Sequence, residues 1–199
     1  ASRRDRRPSA AACSRARTGI GGGLVLDGQL LRGGFGIAAE FGHVRAVPGG
    51  RVCGCGNHGC WEQYCSGMAL VREARDLATA APIRMPKLLE SVGDDLATIT
   101  GPLVTEAALA GDAGALECFD IVGRWLGEGL ASLGAILDPD CFVVGGGVAD
   151  AGHLLMDPAR VAFAGSLTGG AYRPHPPIVA AQLGSAAGLV GAADLARYR

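Results

Sequence analysis

Residues 53–62 read Cys53-Gly54-Cys55-Gly56-Asn57-His58-Gly59-Cys60-Trp61-Glu62. Four of the chain's 7 cysteines (Cys53, Cys55, Cys60 and Cys65) crowd into this short region. No secretory apolar segment accompanies them, so a disulfide framework is a poor reading and a metal site a better one. Cysteines at i and i+2 bind one cation only if the chain turns sharply between them, and Gly54, Gly56 and Gly59 permit such a turn. A third thiolate at Cys60 leaves one place in a tetrahedral zinc site. By spacing, His43, His58 and Cys65 are all candidates for it. Free buried thiols are the plain alternative. A thioredoxin-type redox pair fits less well, because its cysteines are separated by two residues rather than one.

Working outward, Leu24-Val25-Leu26, Asp27-Gly28 and Gln29-Leu30-Leu31 read as a tight hairpin, since Asp-Gly supplies the positive φ values of a type I′ turn. A glycine-rich stretch from Gly33 leads to Glu40-Phe41-Gly42-His43. A helix is expected from near Cys60 to about Ala80. Residues 82–102 read as irregular chain or short helices broken by Pro82, Pro86 and Pro102. Leu116, Phe119, Val122, Leu126, Leu130, Leu133 and Leu137 follow at spacings of three and four, one apolar stripe on a long helix. That helix stops at Asp138-Pro139. Cys141-Phe142-Val143-Val144 is a short buried strand that runs into Gly145-Gly146-Gly147. A helix over about 149–165, a strand over 178–181 and a last helix over about 186–198 complete an α/β pattern.

At 199 residues, 49% hydrophobic and 19% charged, the chain is long and apolar enough to bury a sizeable core. Its formal net charge of -1 gives no electrostatic case for a nucleic-acid or membrane partner. Glycine, 33 of 199 residues, is more than double its usual share of about 7% and falls in clusters. Clustered glycine marks backbone that approaches something closely, such as a phosphate or another strand. Residues 1–17, with six arginines against Asp5, show neither hydrophobic period nor capping pattern. They read as an unstructured or non-native basic tail.

Glu40-Phe41-Gly42-His43, ten residues ahead of Cys53-x-Cys55-Gly56-x-x-Gly59-Cys60-x-Glu62, resembles the signature of the ROK proteins, which are bacterial sugar kinases and related repressors. The resemblance runs almost continuously over residues 18–199 and points to actinobacterial glucokinases in particular. It implies an α/β fold of the actin-like ATPase class, similar to hexokinase and ribonuclease H. Residues 18–199 would form mainly its C-terminal lobe, with a zinc and sugar loop over 40–65, and the last helix, which packs in the family against the other lobe, would leave Leu189, Val190 and Leu195 partly bare. It implies structural zinc held by His43, Cys53, Cys55 and Cys60, with Cys65 left as a helix residue. Glu40, His43 and Glu62 would contact sugar hydroxyls, a role that suits carboxylates as acceptors; without the neighbouring motif, Glu62 reads as an ordinary first-turn helix acid. Thr18-Gly19-Ile20-Gly21-Gly22-Gly23 could cradle phosphate through successive backbone N–H groups, and its place ahead of the signature makes Thr18-Gly19 look like the family's second phosphate motif. Gly145, Gly146 and Gly147, within 143–148, look like its adenosine turn.

The activity implied is transfer of a phosphoryl group from Mg-ATP to the 6-hydroxyl of glucose, in the cytoplasm, by a protein that is a homodimer or homotetramer when intact. Neither the acidic glycine-threonine phosphate loop nor the Asn-Asp pair that supplies the family's catalytic base is found in this sequence. No catalytic residue is therefore assigned, because phosphoryl transfer needs a group to orient the hydroxyl and accept its proton. The expectation is a catalytically incomplete C-terminal part, with residues 1–17 an out-of-frame or mis-called start. Two rival readings change the sugar, to fructose, mannose or an N-acetylated hexose, or make the chain a sugar-sensing ROK regulator. For a regulator, residues 1–17 hold no visible helix-turn-helix. Another rival is an inactive remnant that binds zinc and, weakly, sugar.

Overall fold

Three alanines, a cysteine and a serine form the centre of the sheet: Ala10–Ser14 is strand β1. The structure is a computed structural model and describes residues 10–14, 19–93, 95–147 and 149–197. β1 pairs antiparallel with β2 (Gly21–Leu26) and parallel with β4 (Cys141–Gly145). With β3 (Gln29–Leu30) and β5 (Ile178–Ala180), the order is β3-β2-β1-β4-β5. The expectation that residues 1–17 lie outside the fold is therefore wrong for residues 10–14. Poly-alanine carries no strand signal of its own, and this segment is a strand because partners hydrogen-bond to both of its edges. Residues 1–9 and 15–18 lie outside the described residues.

The β2–β3 hairpin forms as its sequence predicts, with Asp27 at φ 50° and Gly28 at φ 78°. The helix expected from Cys60 to Ala80 is two: α1 (Glu62–Cys65) and α2 (Gly67–Ala80). Ser66 separates them in extended conformation and caps α2, its hydroxyl accepting from the Ala69 N–H at 3.3 Å. Pro86 and Pro102 start helices rather than break them, opening α3 (Pro86–Val92) and lying at the second position of α4 (Gly101–Leu109). Proline fits a first turn because the N–H it lacks would have no helical partner there.

The long helix is α5 (Ala113–Leu137), which ends where Asp138 turns left-handed at φ 43°. Its burial is wider than one stripe. Phe119, Val122, Leu126, Leu130 and Leu133 are buried as the spacing predicts, whereas Leu116 is exposed. At 100° per residue, Gly123, Gly127 and Gly134 fall on one face and Gly114 and Gly129 on the opposite one. The first face receives α6 (His153–Ser166): a Cβ on Gly127 would lie 2.2 Å from the Ala159 carbonyl oxygen. The second receives α1, α2 and Met85, so α5 is the middle layer of the domain. Phe142 of β4 is fully buried and meets Phe163 of α6 edge-on at 5.7 Å, which joins the sheet to the helical layers. The last helix, α7 (Ala187–Arg197), leaves Leu189 76% exposed and Val190 and Leu195 about half exposed. No helix among the described residues is long and apolar enough to cross a membrane.

Asp112 is a buried acid to which the sequence analysis assigned no role. Both of its carboxylate oxygens point away from α5 to the start of α3, accepting from Lys87 N–H at 3.0 Å and Leu88 N–H at 2.8 Å. Asp112→Ala would orphan one buried and one partly buried donor, so chemical denaturation should show a loss of about 2 kcal/mol. Gly127→Ala should lower stability by about 2 kcal/mol, because the backbone clash with α6 outweighs the roughly 1 kcal/mol alanine gains in helix propensity. Gly191→Ala in α7, with open space at its Cβ position, should be neutral or stabilising in the same assay.

Candidate metal and sugar site

Two isolated bridges shape the cysteine loop, Arg45 with Cys60 and Val52 with His58. Ala46 and Val47 N–H both donate to the Gly59 carbonyl, and Gly59 N–H donates to Arg51. Gly59 has φ 76°, and a Cβ there would sit 1.6 Å from the Val47 carbonyl oxygen, so no other residue fits. Gly56 is also left-handed, at φ 89°. Gly54 is not, and it has open space around it, so the turn between Cys53 and Cys55 does not depend on glycine at that position.

The ligand atoms of His43, Cys53, Cys55 and Cys60 all lie within 4.8 Å of one another. Cys53 Sγ is 3.6 Å from His43 Nδ1, and Cys55 Sγ is 3.6 Å from Cys60 Sγ. Metal–sulfur bonds of about 2.3 Å at tetrahedral angles give edges of about 3.8 Å, so the cluster has the size of a zinc site. Three thiols and an imidazole also have the donor chemistry zinc prefers. Of the three candidates for the fourth place, the structure brings His43 to the cluster. His58 instead meets the Gly50 carbonyl at 3.3 Å, and the buried Cys65 thiol points to the Trp61 carbonyl at 3.5 Å. Without a metal, burial pushes the Cys53 thiol up to about 12 and raises that of Cys60. A backbone N–H from Asn57 pulls exposed Cys55 down to about 7.

The three carboxylate and imidazole groups expected on the sugar side converge on this cluster. His43 Nε2 is 3.8 Å from Glu40 Oε2, while His43 Nδ1 is 3.8 Å from Glu62 Oε1. Glu40 is open to solvent and Glu62 is largely buried. Glu62 does not use its carboxylate as a helix cap. One oxygen accepts from Cys53 Sγ at 3.0 Å and the other from Ile20 N–H at 3.2 Å.

Trp61, which the sequence reading passed over, holds the loop in place. It is 3% exposed, lies against the Cα of Gly129 in α5, and donates from Nε1 to the Trp125 carbonyl at 2.7 Å. A tryptophan between a metal ligand and a sugar-side acid, with a glycine in the helix it meets, is the signal that could have found it.

The glycine run near residue 20 divides. Gly21, Gly22 and Gly23 belong to β2 and pair with β1, and a Cβ on Gly22 would sit 2.3 Å from the Ala39 carbonyl oxygen. Their close approach is to chain, and the Ile20 N–H is held by Glu62. The expected cradle of successive N–H groups from 18 to 23 is thereby narrowed to its first residues, Thr18 and Gly19, and Thr18 lies outside the described residues. Register brings the two glycine turns to one end of the sheet, because Ser14 pairs with both Gly21 and Gly145. Gly145, Gly146 and Gly147 close β4 at its carboxyl end, with Gly146 at φ 94°. A crevice at the carboxyl ends of parallel strands is where ligands bind in open α/β sheets.

A family model described as the ROK family matches residues 9–199. The glucokinase of Streptomyces coelicolor is 50% identical over 186 residues, which is 93% of this chain and 58% of that protein. The N-acetylmannosamine kinase of Escherichia coli is 36% identical over 181 residues, 90% of this chain and 54% of its own length. The solved structure of a ROK family glucokinase from Streptomyces griseus, in complex with glucose and AMPPNP, superposes with a TM-score of 0.92 at 49% identity. That match covers 96% of this chain and 61% of the other. The chain thus spans somewhat more than half the length of the relatives it matches, and the likeness bears out the actin-like ATPase fold class. By its sequence motifs, its sheet and these matches, the chain belongs to the ROK family of sugar kinases and related proteins.

Proposed function

We propose that this chain forms the metal- and sugar-binding part of an ATP-dependent glucokinase. The observation that carries the reading is the meeting of Glu40, His43 and Glu62 at a cysteine-histidine cluster, on the same sheet end as Gly145–Gly147. The chain from β1 onward would be mainly the C-terminal lobe of the actin-like fold. Zinc, held by His43, Cys53, Cys55 and Cys60, would act as a structural staple in a closed four-ligand site with no position left for substrate. His43 would be oriented through Nδ1, leaving Nε2 to face Glu40 and a sugar hydroxyl. Glu40 and Glu62 would accept from sugar hydroxyls, whose donors a carboxylate matches best. Thr18 and Gly19 would approach phosphate, and Gly145, Gly146 and Gly147 would leave room for the adenosine of Mg-ATP.

In the whole protein the reaction would move the γ-phosphoryl group of ATP to the 6-hydroxyl of glucose. Glucose is favoured over an N-acetylated hexose because the Streptomyces coelicolor glucokinase is 50% identical and the Escherichia coli N-acetylmannosamine kinase 36%. A dimer or tetramer in the cytoplasm accords with this reading. The acid that accepts the hydroxyl proton is assigned to no residue of this chain.

Calorimetric titration of the zinc-loaded chain with glucose tests the sugar site. Binding should be measurable, and Glu40→Gln or Glu62→Gln should weaken it by about tenfold, the loss of one charged hydrogen bond. Equal heats for glucose and N-acetylmannosamine, or none for either, would overturn the assignment. Metal content tests the staple separately. Emission spectrometry should find close to one zinc per chain, and Cys60→Ser should lose it along with much of the thermal stability of the loop. Full zinc retention by that variant would remove Cys60 from the ligand set.

A further inference from the structure

The turn that precedes β2 touches the sugar side at two points. Ile20 N–H donates to Glu62 Oε2 at 3.2 Å, and Gly42, inside the Glu40–His43 segment, packs so closely on Ile20 that a Cβ there would sit 2.1 Å from the Ile20 carbonyl oxygen. Gly19 lies directly under the Glu62 carboxylate: its Cβ, if present, would be 2.2 Å from Oε2 and 3.3 Å from Cδ. The two glycines have different consequences. At Gly42 the obstacle is backbone, which cannot move without disturbing the fold. At Gly19 the obstacle is the tip of a flexible side chain, which a methyl group would simply push aside. The pressure at residue 19 therefore falls on the position of one carboxylate and little on stability.

From this geometry we infer that Gly19 is a positioning residue for the sugar site. Its missing side chain lets Glu62 rest on the Ile20 amide, and that contact holds the carboxylate where it meets His43 and the sugar. The inference rests on the proposed reading of Glu62 as a sugar ligand, and it adds to it. A residue whose expected place is on the phosphate side sets affinity on the sugar side, and the same contact links the two. Glucose drawn to Glu62 steadies the Gly19–Ile20 turn, and by linkage a ligand that orders this turn strengthens glucose binding.

The experiment is glucose titration of the zinc-loaded full chain by calorimetry in wild type, Gly19→Ala and Gly23→Ala. Exchange protection of the Ile20 amide is followed by NMR in the ligand-free proteins. Gly23 lies in β2, just past the turn, and its Cβ position meets only Leu30 Cδ1 at 3.9 Å. Gly19→Ala should retain its zinc and its melting temperature, lose protection at Ile20, and bind glucose about tenfold or more weakly. Gly23→Ala should bind glucose as wild type does. Glu62→Gln should keep Ile20 protected, because the amide oxygen still accepts, whereas Glu62→Ala should lose that protection.

Wild-type glucose affinity in Gly19→Ala, or unchanged Ile20 protection in both Gly19→Ala and Glu62→Ala, would overturn the inference. A wild-type chain that binds no glucose would overturn the reading beneath it and the inference together. That failure is told apart from the first because in the first the wild type still binds.

Discussion

Trp61 is the fastening on which the site depends. Its neighbours in sequence are Cys60, a metal-ligand candidate, and Glu62, a candidate sugar-binding acid, so fixing the indole fixes both. The fixing is done by α5: the ring lies on the bare backbone of Gly129, and Nε1 donates to the Trp125 carbonyl. An indole buried without a partner for its N–H would cost stability, and one packed against any larger residue at 129 would be displaced. The rigid middle layer of the domain thus sets the coordinates of a loop that has almost no regular structure of its own. Tyr64, stacked on Trp125 at 4.8 Å and accepting from Arg51 N–H, adds a second tie between the loop and the same turn of α5.

Close approach of backbone to backbone is the other recurring device, and a handful of glycines serve it. Gly123 and Gly127 let α6 lie against α5, Gly22 lets β2 pass the 39–41 segment, and Gly42 lets the sugar-side segment meet Ile20. The last two of these contacts bring β2 and the turn before it against the 39–43 segment. The glycine clusters had invited a reading as phosphate cradles. Gly22 instead serves packing, and Gly21–Gly23 lie in a strand paired with β1.

Several parts were legible because their signals are local. The Asp27-Gly28 hairpin needs two residues at positive φ and has the two that adopt it most readily. The α5 stripe is a period, and the cysteine cluster is a density of soft ligands within a glycine-permitted turn. Other parts were not legible, for physical reasons that differ. β1 has no propensity to declare itself, and it exists because β2 and β4 both need an edge to pair with. Ser66 hides a helix break inside a continuous apolar pattern, since a cap and a helix interior can be filled by the same small residue. Asp112 looks like the N-cap of the helix it precedes, and its carboxylate serves α3 instead.

The sequence by itself determined the family, the α/β class and the set of residues that could bind a metal, because motif spacing and periodicity are properties of a chain. It left the fourth ligand open among His43, His58 and Cys65 on spacing alone. Tertiary structure chose His43 for the cluster, because the bridge between Arg45 and Cys60 folds the 40–46 segment onto the loop while His58 turns to Gly50. It also decided that the Gly19–Ile20 turn, the Glu62 carboxylate and the β4 glycines share one end of a sheet. Strand register sets that arrangement, and register is fixed only when all partners are present.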